Sequence, residues 1–173
     1  MLEFFIIIEE VIMKYIKNIA AIFAISAFTA LTGSAQGPEA PTNPKFDAEL
    51  AKKLGADDMG MKNFVLVILK TGPRDADFKG EERSKIFAGH FANINKLASE
   101  GKLAVAGPFG KNEKAYRGLY IFNVATVDEA EKLVVTDPAV KAGILVPDLT
   151  PWYGSAALMQ VTETHGRIAK KSF

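Results

Sequence analysis

The sequence predicts an α+β domain whose core elements follow the order β-α-β-β-α-β. Two segments, FVLVILK (64–70) and GLYIFNV (118–124), are apolar almost throughout, which is typical of strands buried on both faces. Two segments with helical periodicity, at 81–101 and 126–138, follow these strands. Two further β-rich segments complete the set, KLAVAGPF before the third strand and ILVPDLTPWYGSAAL after the second helix.

The two core helices have recognisable start and stop signals. The first, Glu81–Gly101, opens with acidic residues and ends at glycine. The second opens with Thr126 and has Glu129 three residues later, the spacing of a capping box. It is predicted to end at Asp137 and Pro138, because proline disfavours helical backbone in the residue before it.

The flanking segments divide the chain into four regions. Residues 36–60 are rich in proline and are predicted to be a linker with a short helix at Phe46–Leu54, which begins near Asp47 and ends at Gly55. Residues 61–159 form the predicted domain, whose last strand we expect to be broken at its two prolines. Residues 1–35, before the linker, are a predicted signal peptide. Residues 160–173, after the domain, are predicted to be a frayed basic tail.

The predicted element order is that of the ferredoxin-like split βαβ fold. In this fold two helices cover one face of a four-stranded antiparallel sheet. Because the first and third strands are apolar on both faces, the second sheet face also needs a cover. The rest of the chain contains no segment that we expect to be large enough. We therefore predict a homodimer in which two sheets pack face to face.

The composition is that of an ordinary globular protein and argues against only a few kinds of partner and site. The 173 residues are 49% apolar and 24% charged, with a formal net charge of +1, which indicates one globular domain with extensions. A near-zero net charge argues against a nucleic-acid partner or an anionic membrane bound by a basic face. The sequence has no cysteine, so it has neither disulfides nor a thiolate metal site.

The N-terminal third has the order of a secretory signal. A short basic segment at 13–18 precedes an apolar run at 19–31 and small residues at 32–36. The apolar run is shorter than the roughly 20 residues of a membrane span. We predict cleavage after Ala35, soluble export to the periplasm or beyond, and no stable membrane association after cleavage. An uncleaved N-terminal anchor is the alternative.

The first twelve residues fit a signal peptide poorly. Glu3, Glu9 and Glu10 are acidic where a signal prefers basic residues. Our hypothesis is that translation starts at Met13, and sequencing the N-terminus of an uncleaved precursor tests it.

His90 lies on the predicted first core helix. At about 100° per residue, with Ile86 at zero, Leu97 falls at about 20°, His90 at about 40° and Ile94 at about 80°. Lys96 falls on the opposite side, as a solvated residue should. The angular positions therefore predict that His90 points towards the sheet.

An inward-facing histidine has two explanations. It can be a neutral imidazole bonded to a backbone carbonyl, which burial statistics favour, or a general acid/base whose tautomer is held by a carboxylate. Asp137 is the best candidate partner, because it ends the second helix, which lies beside the first in this fold. Asp-Pro is also a common helix stop. Four other aspartates compete for the role without a clear reason to meet His90: Asp75, Asp77, Asp128 and Asp148.

Other chemistry is sparse. The sequence contains no glycine-rich phosphate loop between a strand and a helix, no metal-ligand spacing and no nucleophile elbow. His165 lies in the predicted tail, and Ser155 has no evident base near it in the sequence. We therefore expect neither a metal nor a cofactor.

Several motifs occur in an order that is typical of one family. A helix histidine is followed by Leu-x-x-x-Gly-x-Leu, then by Ala-Gly-Pro, a glycine-led strand and an Asp-Pro pair, in GHFANINKLASEGKLAVAGPFG and GLYIFNVATVDEAEKLVVTDPAVKAGIL. A last strand follows VPDLTPWYG. From Met61 to Leu158 the chain resembles the YciI-like (YCII-related) family.

This resemblance implies a ferredoxin-like subunit in a dimeric α+β barrel. It also implies a His–Asp pair in a cleft as the active site, which corresponds to His90 and Asp137. One relative in the family is a dehydrochlorinase of chlorinated hydroxyhydroquinones. The export signal, the Pro-rich extension and the PWYGSAAL ending depart from the family pattern.

The leading interpretation is an exported, cofactor-free dimer that binds a small, partly aromatic or carbonyl-bearing molecule. His90 would shuttle a proton in an elimination or a hydrolysis, and Asp137 would orient its ring. The alternative is a non-catalytic binding or interaction module. A third hypothesis, haem ligation by His90, is based only on analogy with proteins of similar fold. Arg117 is a candidate for meeting an anionic substrate, with a solvated loop arginine as its alternative. The other candidate substrate-binding residues are Gly107, Pro108, Phe109, Trp152 and Tyr153.

Overall fold

The structure is a computed structural model and describes residues 43–171. The predicted signal peptide, the alternative start at Met13 and most of the Pro-rich segment lie outside the described residues. None of the helices within 43–171 has the length and apolar character needed to cross a membrane.

A four-stranded antiparallel sheet forms the centre of the domain. Its strands lie in the order β2-β3-β1-β4, which is the ferredoxin-like arrangement, so the predicted α+β fold class is confirmed. Short 3-10 turns follow β1, at Asp75–Asp77, and β4, at Ala156–Gln160. The helices and strands, numbered in chain order, are α1 Ala48–Leu54, β1 Met61–Thr71, α2 Gly80–Ser99, β2 Leu103–Pro108, β3 Tyr116–Phe122, α3 Val127–Val134, α4 Pro138–Lys141, β4 Leu145–Ser155 and α5 Val161–Ile168.

The main core lies between one face of the sheet and helices α2, α3 and α4. Val65, Val67 and Leu69 alternate along β1 and are buried against Leu97 of α2 and Val134 of α3. Their spacing of two residues places them on one face of the strand, as the pleat requires. This face positions the site described below.

The opposite sheet face carries a smaller buried cluster. Phe64, Ala104 and Ile121 are buried there, and Leu158 and Met159 of the second 3-10 turn pack against them. Part of this face is therefore covered by the chain itself. The expectation that no remaining segment could cover it was wrong for this part, because the segment after β4 folds back over the sheet.

Three local predictions need correction. The second core helix is two helices: α3 ends at Val134, and Asp137 caps the separate helix α4. Strand β4 runs unbroken through Pro147 and Pro151. An edge strand donates N–H groups to its neighbour only at alternate residues, so a proline at one of the other positions leaves the pairing with β1 intact. Part of the predicted frayed tail forms α5, which contacts β2.

The predicted helix signals at the other positions are present. Thr126 and Glu129 form a reciprocal capping box at the start of α3. Asp47 accepts a hydrogen bond from the backbone of Leu50 at the start of α1, and Gly55 ends that helix with φ of 70°.

Candidate functional site

His90 lies on the face of α2 that packs on the sheet, as its angular position predicts. Only 8% of the residue is exposed. The rings of Phe87 and Phe91 meet it nearly edge-on, with centroids 5.6 and 5.3 Å from the imidazole centroid. The histidine therefore sits in aromatic surroundings that exclude most water.

A close contact between α2 and α4 brings Asp137 to His90. A Cβ atom built on Gly89 would lie 2.9 Å from Cγ of Pro138, closer than ordinary carbon contacts of about 3.5–4.0 Å. Glycine at position 89 thus permits the two helices to approach at the residues that precede His90 and follow Asp137. Proline is well placed as the first residue of α4, where a helix needs no backbone donor.

The carboxylate of Asp137 is fully buried and accepts three hydrogen bonds. Nδ1 of His90 lies 2.7 Å from Oδ2, and the hydroxyl of Tyr120 donates to the same oxygen at 2.8 Å. The backbone N–H of Ala139 donates to Oδ1 at 2.8 Å, which is the N-cap bond of α4. Asp137 therefore has a structural role as a cap and a second role as the partner of His90.

These bonds keep the carboxylate ionised inside the protein. Burial alone would raise the pKa of Asp137. The hydrogen bond of His90 outweighs it, together with the charge of the ring whenever the imidazole is protonated and with the help of Tyr120 and the Ala139 N–H, so that the pKa lies below its ordinary value. Burial raises the pKa of Tyr120, and the nearby negative charge of Asp137 raises it further, so the phenol stays protonated and acts as a donor.

The hydrogen bonds also assign the tautomer of His90. An ionised carboxylate can only accept, so Nδ1 must carry the proton that lies between it and Asp137. No group within residues 43–171 bonds to Nε2, and no buried side-chain nitrogen or oxygen there lacks a partner. Nε2 must therefore be accessible, with its lone pair available as a base.

An apolar cavity of about 370 Å³ opens beside His90, between α2 and the β2–β3 edge of the sheet. Its aromatic walls are Phe87, Phe91 and Tyr120, and Gly118 leaves the sheet side open. A volume of this size is in the range of small-molecule sites. The arrangement combines a base, an apolar enclosure and a fixed carboxylate, which suits proton transfer to or from a bound small molecule.

Comparison with known proteins identifies the family. The sequence profile of the YCII-related domain matches residues 63–152, slightly more than half of the chain. The chain belongs to the YCII-related domain family. The resemblance inferred from the motifs is therefore confirmed.

Comparison with individual proteins adds little to this assignment. A search of curated proteins gave no match. Among solved structures, the chain is similar to 5-chloro-2-hydroxyhydroquinone dehydrochlorinase (TftG) from Burkholderia phenoliruptrix AC1100 in complex with 2,5-dihydroxybenzoquinone. The sequence identity is 21% and the TM-score 0.38, over 53% of this chain and 93% of that one.

The YCII-related domain brings some of the sequence-predicted site residues together. Gly107, Pro108 and Arg117 line the same cavity as His90. Asp137 does not line the cavity, but it is hydrogen-bonded to two residues that do, His90 and Tyr120.

Three other candidates lie elsewhere. Phe109 is not among the residues lining the cavity, and its ring packs on Tyr116, 5.7 Å away between centroids. Trp152 packs against Phe64 on the opposite face of the sheet, with a centroid distance of 5.9 Å. The hydroxyl of Tyr153 donates to Asp57, which lowers the pKa of that carboxyl.

Tyr120 is the functional residue that sequence reasoning missed. The sequence GLYIFNV by itself predicts only a strand that is apolar on both faces. Alternation along β3 places Gly118, Tyr120 and Phe122 on the helix-covered face, so a buried phenol facing α2 could have been predicted. A buried tyrosine hydroxyl needs a hydrogen-bond partner, which points to Asp137.

The remaining polar candidates have local roles. The hydroxyl of Ser155 accepts from the backbone of Ala157 and so caps the following 3-10 turn. Within residues 43–171, no group of three or more histidine, aspartate or glutamate side chains is arranged to bind a metal ion.

Proposed function

We propose that this YCII-related domain binds a small molecule in the cavity and transfers a proton with His90. One observation carries the proposal: His90 lines the cavity, no group within residues 43–171 bonds to its Nε2, and its Nδ1 is held by an ionised, fully buried carboxylate. A neutral imidazole held in this way is a base at Nε2. The imidazolium formed after proton transfer is stabilised by Asp137.

Elimination is the reaction that this arrangement supports best. Nε2 of His90 takes a proton from a substrate carbon, and the C–H electron pair forms a double bond to the neighbouring carbon. A leaving group departs from that neighbour with its bonding pair, and water then takes the proton from Nε2. In a hydrolysis the same nitrogen would take its proton from a water molecule that attacks a carbonyl carbon.

The test compares the wild type with His90→Ala and Asp137→Asn on a panel of ring compounds that carry a carbonyl or halide. We expect both variants to lose about 10²–10⁴-fold in rate. Asparagine can donate to Nδ1, which moves the ring proton to Nε2 and removes the base. His165→Ala changes the other histidine and should keep full activity.

The tautomer can be measured without a substrate. Two-bond ¹⁵N–¹H correlation spectra should show the proton on Nδ1 of His90 in the wild type and on Nε2 in Asp137→Asn. Equal turnover in the wild type and both site variants would contradict the catalytic proposal and leave a non-catalytic binding module.

We also propose that the protein is exported. The basic, apolar and small-residue order of residues 13–36 supports a signal peptide cleaved after Ala35. Cell fractionation with N-terminal sequencing of the mature chain tests this, and a mature chain that retains residues 19–31 would contradict it.

A homodimer is the third proposal. Leu66, Ile68 and Leu119 are half-buried on the sheet face opposite α2, and Trp152 on the same face is 37% exposed. A second copy packed on this face would remove that apolar surface from water. Light scattering should give twice the monomer mass, and Leu119→Asp should halve it. Ile168→Asp, at an exposed apolar position in α5, is the control.

A further inference from the structure

The cavity beside His90 contains one permanently charged side chain. Arg117 is that residue: it lines the cavity and is exposed to solvent. None of the described residues lining the cavity is a lysine, an aspartate or a glutamate. No carboxylate within residues 43–171 forms an ion pair with Arg117. The charge of Arg117 is therefore not neutralised by any carboxylate of the described residues.

Arg117 differs in this respect from the other arginines near the sheet. Arg74 pairs with Asp77, and Arg83 pairs with Asp75. Guanidinium groups bind carboxylates and other oxyanions through paired N–H donors in one plane. An arginine that lines an apolar cavity and is not neutralised by a carboxylate thus favours an apolar ligand that carries an anionic oxygen group.

The shape of the cavity favours a flat ligand. Gly118 lies on the helix-covered face of β3, next to Tyr120, so the missing side chain leaves the sheet side open. A Cβ at Gly118 would lie 3.4 Å from the Gly107 carbonyl oxygen and 3.6 Å from Leu69, which are ordinary contacts. A larger side chain at this position would fill the cavity instead of straining the backbone.

We infer that the cavity binds a planar ring bearing one anionic oxygen group, such as an aromatic carboxylate or an ionised phenol. The anion faces Arg117 and the ring lies between Gly118 and the aromatic side chains of α2. This inference rests on the proposed function and names its substrate class. An apolar cavity of about 150 Å³ is enough for benzene, so about 370 Å³ accommodates a substituted ring.

The experiment uses three probes of nearly identical shape and different charge: benzoate, benzamide and benzamidinium. Each is titrated into the full-length ¹⁵N-labelled protein, and amide shifts of β2 and β3 report binding at the cavity. We expect benzoate to bind roughly fivefold more tightly than benzamide, and benzamidinium to bind weakest. The preference for benzoate should shrink at high salt, because Arg117 is exposed to solvent.

Three variants separate charge, shape and chemistry. Arg117→Gln should give benzoate and benzamide equal affinity, whereas Arg167→Gln, at an exposed position in α5, should change nothing. Gly118→Val should abolish binding of all three probes while the fold is retained, since valine suits a strand. His90→Gln should keep the preference for benzoate.

The outcomes distinguish this inference from the proposed function. Absence of binding by every probe, or benzoate binding no tighter than benzamide, would overturn the inference. So would a preference that persists in Arg117→Gln but disappears in His90→Gln, because the imidazolium would then be the attracting group. If the preference is present but His90→Ala has wild-type turnover, the inference stands and the catalytic proposal fails.

Discussion

The contact between Gly89 and Pro138 makes Gly89→Ala a direct perturbation of the His90–Asp137 pair. The added Cβ would lie 2.9 Å from Cγ of Pro138 and 3.4 Å from its Cβ. To restore an ordinary contact, α2 and α4 must separate by roughly 0.6 Å. The same displacement would lengthen the bond between Nδ1 and Oδ2 from 2.7 Å to about 3.3 Å, beyond the usual range.

Two opposing terms set the change in stability. Alanine is favoured over glycine within a helix by about 0.5–1 kcal/mol. Overpacking at a tight contact costs about 1–3 kcal/mol. The free energy of unfolding of Gly89→Ala should therefore fall by about 0.5–2 kcal/mol. The weakened bond should also allow the His90 tautomers to mix.

Urea unfolding and the side-chain ¹⁵N signals of His90 measure these two effects. Gly166→Ala is the matched control, because Gly166 lies within α5 and a Cβ there would meet no atom within 4 Å. The control should be neutral or more stable by up to about 1 kcal/mol. If Gly89→Ala matched the control in stability and left the His90 signals unchanged, the close contact would not position the pair.

Three further predictions follow from the same region and from the adjoining turn. Tyr120→Phe removes a hydrogen-bond donor from Asp137. It should therefore lower the free energy of unfolding by about 1–2 kcal/mol and raise the pKa of the Asp137 carboxyl. An unchanged ¹³C titration of this carboxyl would contradict the prediction. Because the pKa of Asp137 is depressed below the unfolded value of about 3.9, its stabilisation is complete well above that pH. The stability advantage of the wild type over Asp137→Asn should thus shrink as the pH falls below about 4, and a widening gap in urea titrations would refute the assignment. Gly72→Ala would press a Cβ against the carbonyl of Gly143 and should lower the free energy of unfolding by about 3 kcal/mol. Gly107→Ala is the control, because a Cβ there would have no neighbour within 4 Å. The melting temperature of this control should equal that of the wild type.

The sequence contains enough information to predict the fold and the direction of His90. Continuous apolar runs identified the central strands, and helical periodicity placed His90 towards the sheet, because both signals come from residues adjacent in the chain. Asp137 could be predicted as the partner of His90, because few carboxylates lie at the end of a helix or strand that packs beside α2. Its hydrogen bonds could not be predicted, because they depend on how closely α4 approaches at Gly89.

The features that were missed depend on tertiary placement. Trp152 and Tyr153 are aromatic and near the end of the chain, but strand pairing places Trp152 opposite Phe64, on the face away from the cavity. Tyr120 lies in an apolar strand, and an aromatic residue in such a strand is expected to be part of the hydrophobic core. Which face a strand residue occupies depends on register, and a shift of one residue reverses it.

The prolines of β4 limit how the sheet can grow. The pairing with β1 is continuous through Pro147 and Pro151, so their missing N–H groups lie on the outer side of the strand. A fifth strand, from another copy or from a misfolded neighbour, would find no donor at either position. Pro108 ends the opposite edge strand, β2. Copies of this chain are therefore discouraged from joining edge to edge into extended ribbons, and the sheet face opposite α2 is left as the more favourable surface for association.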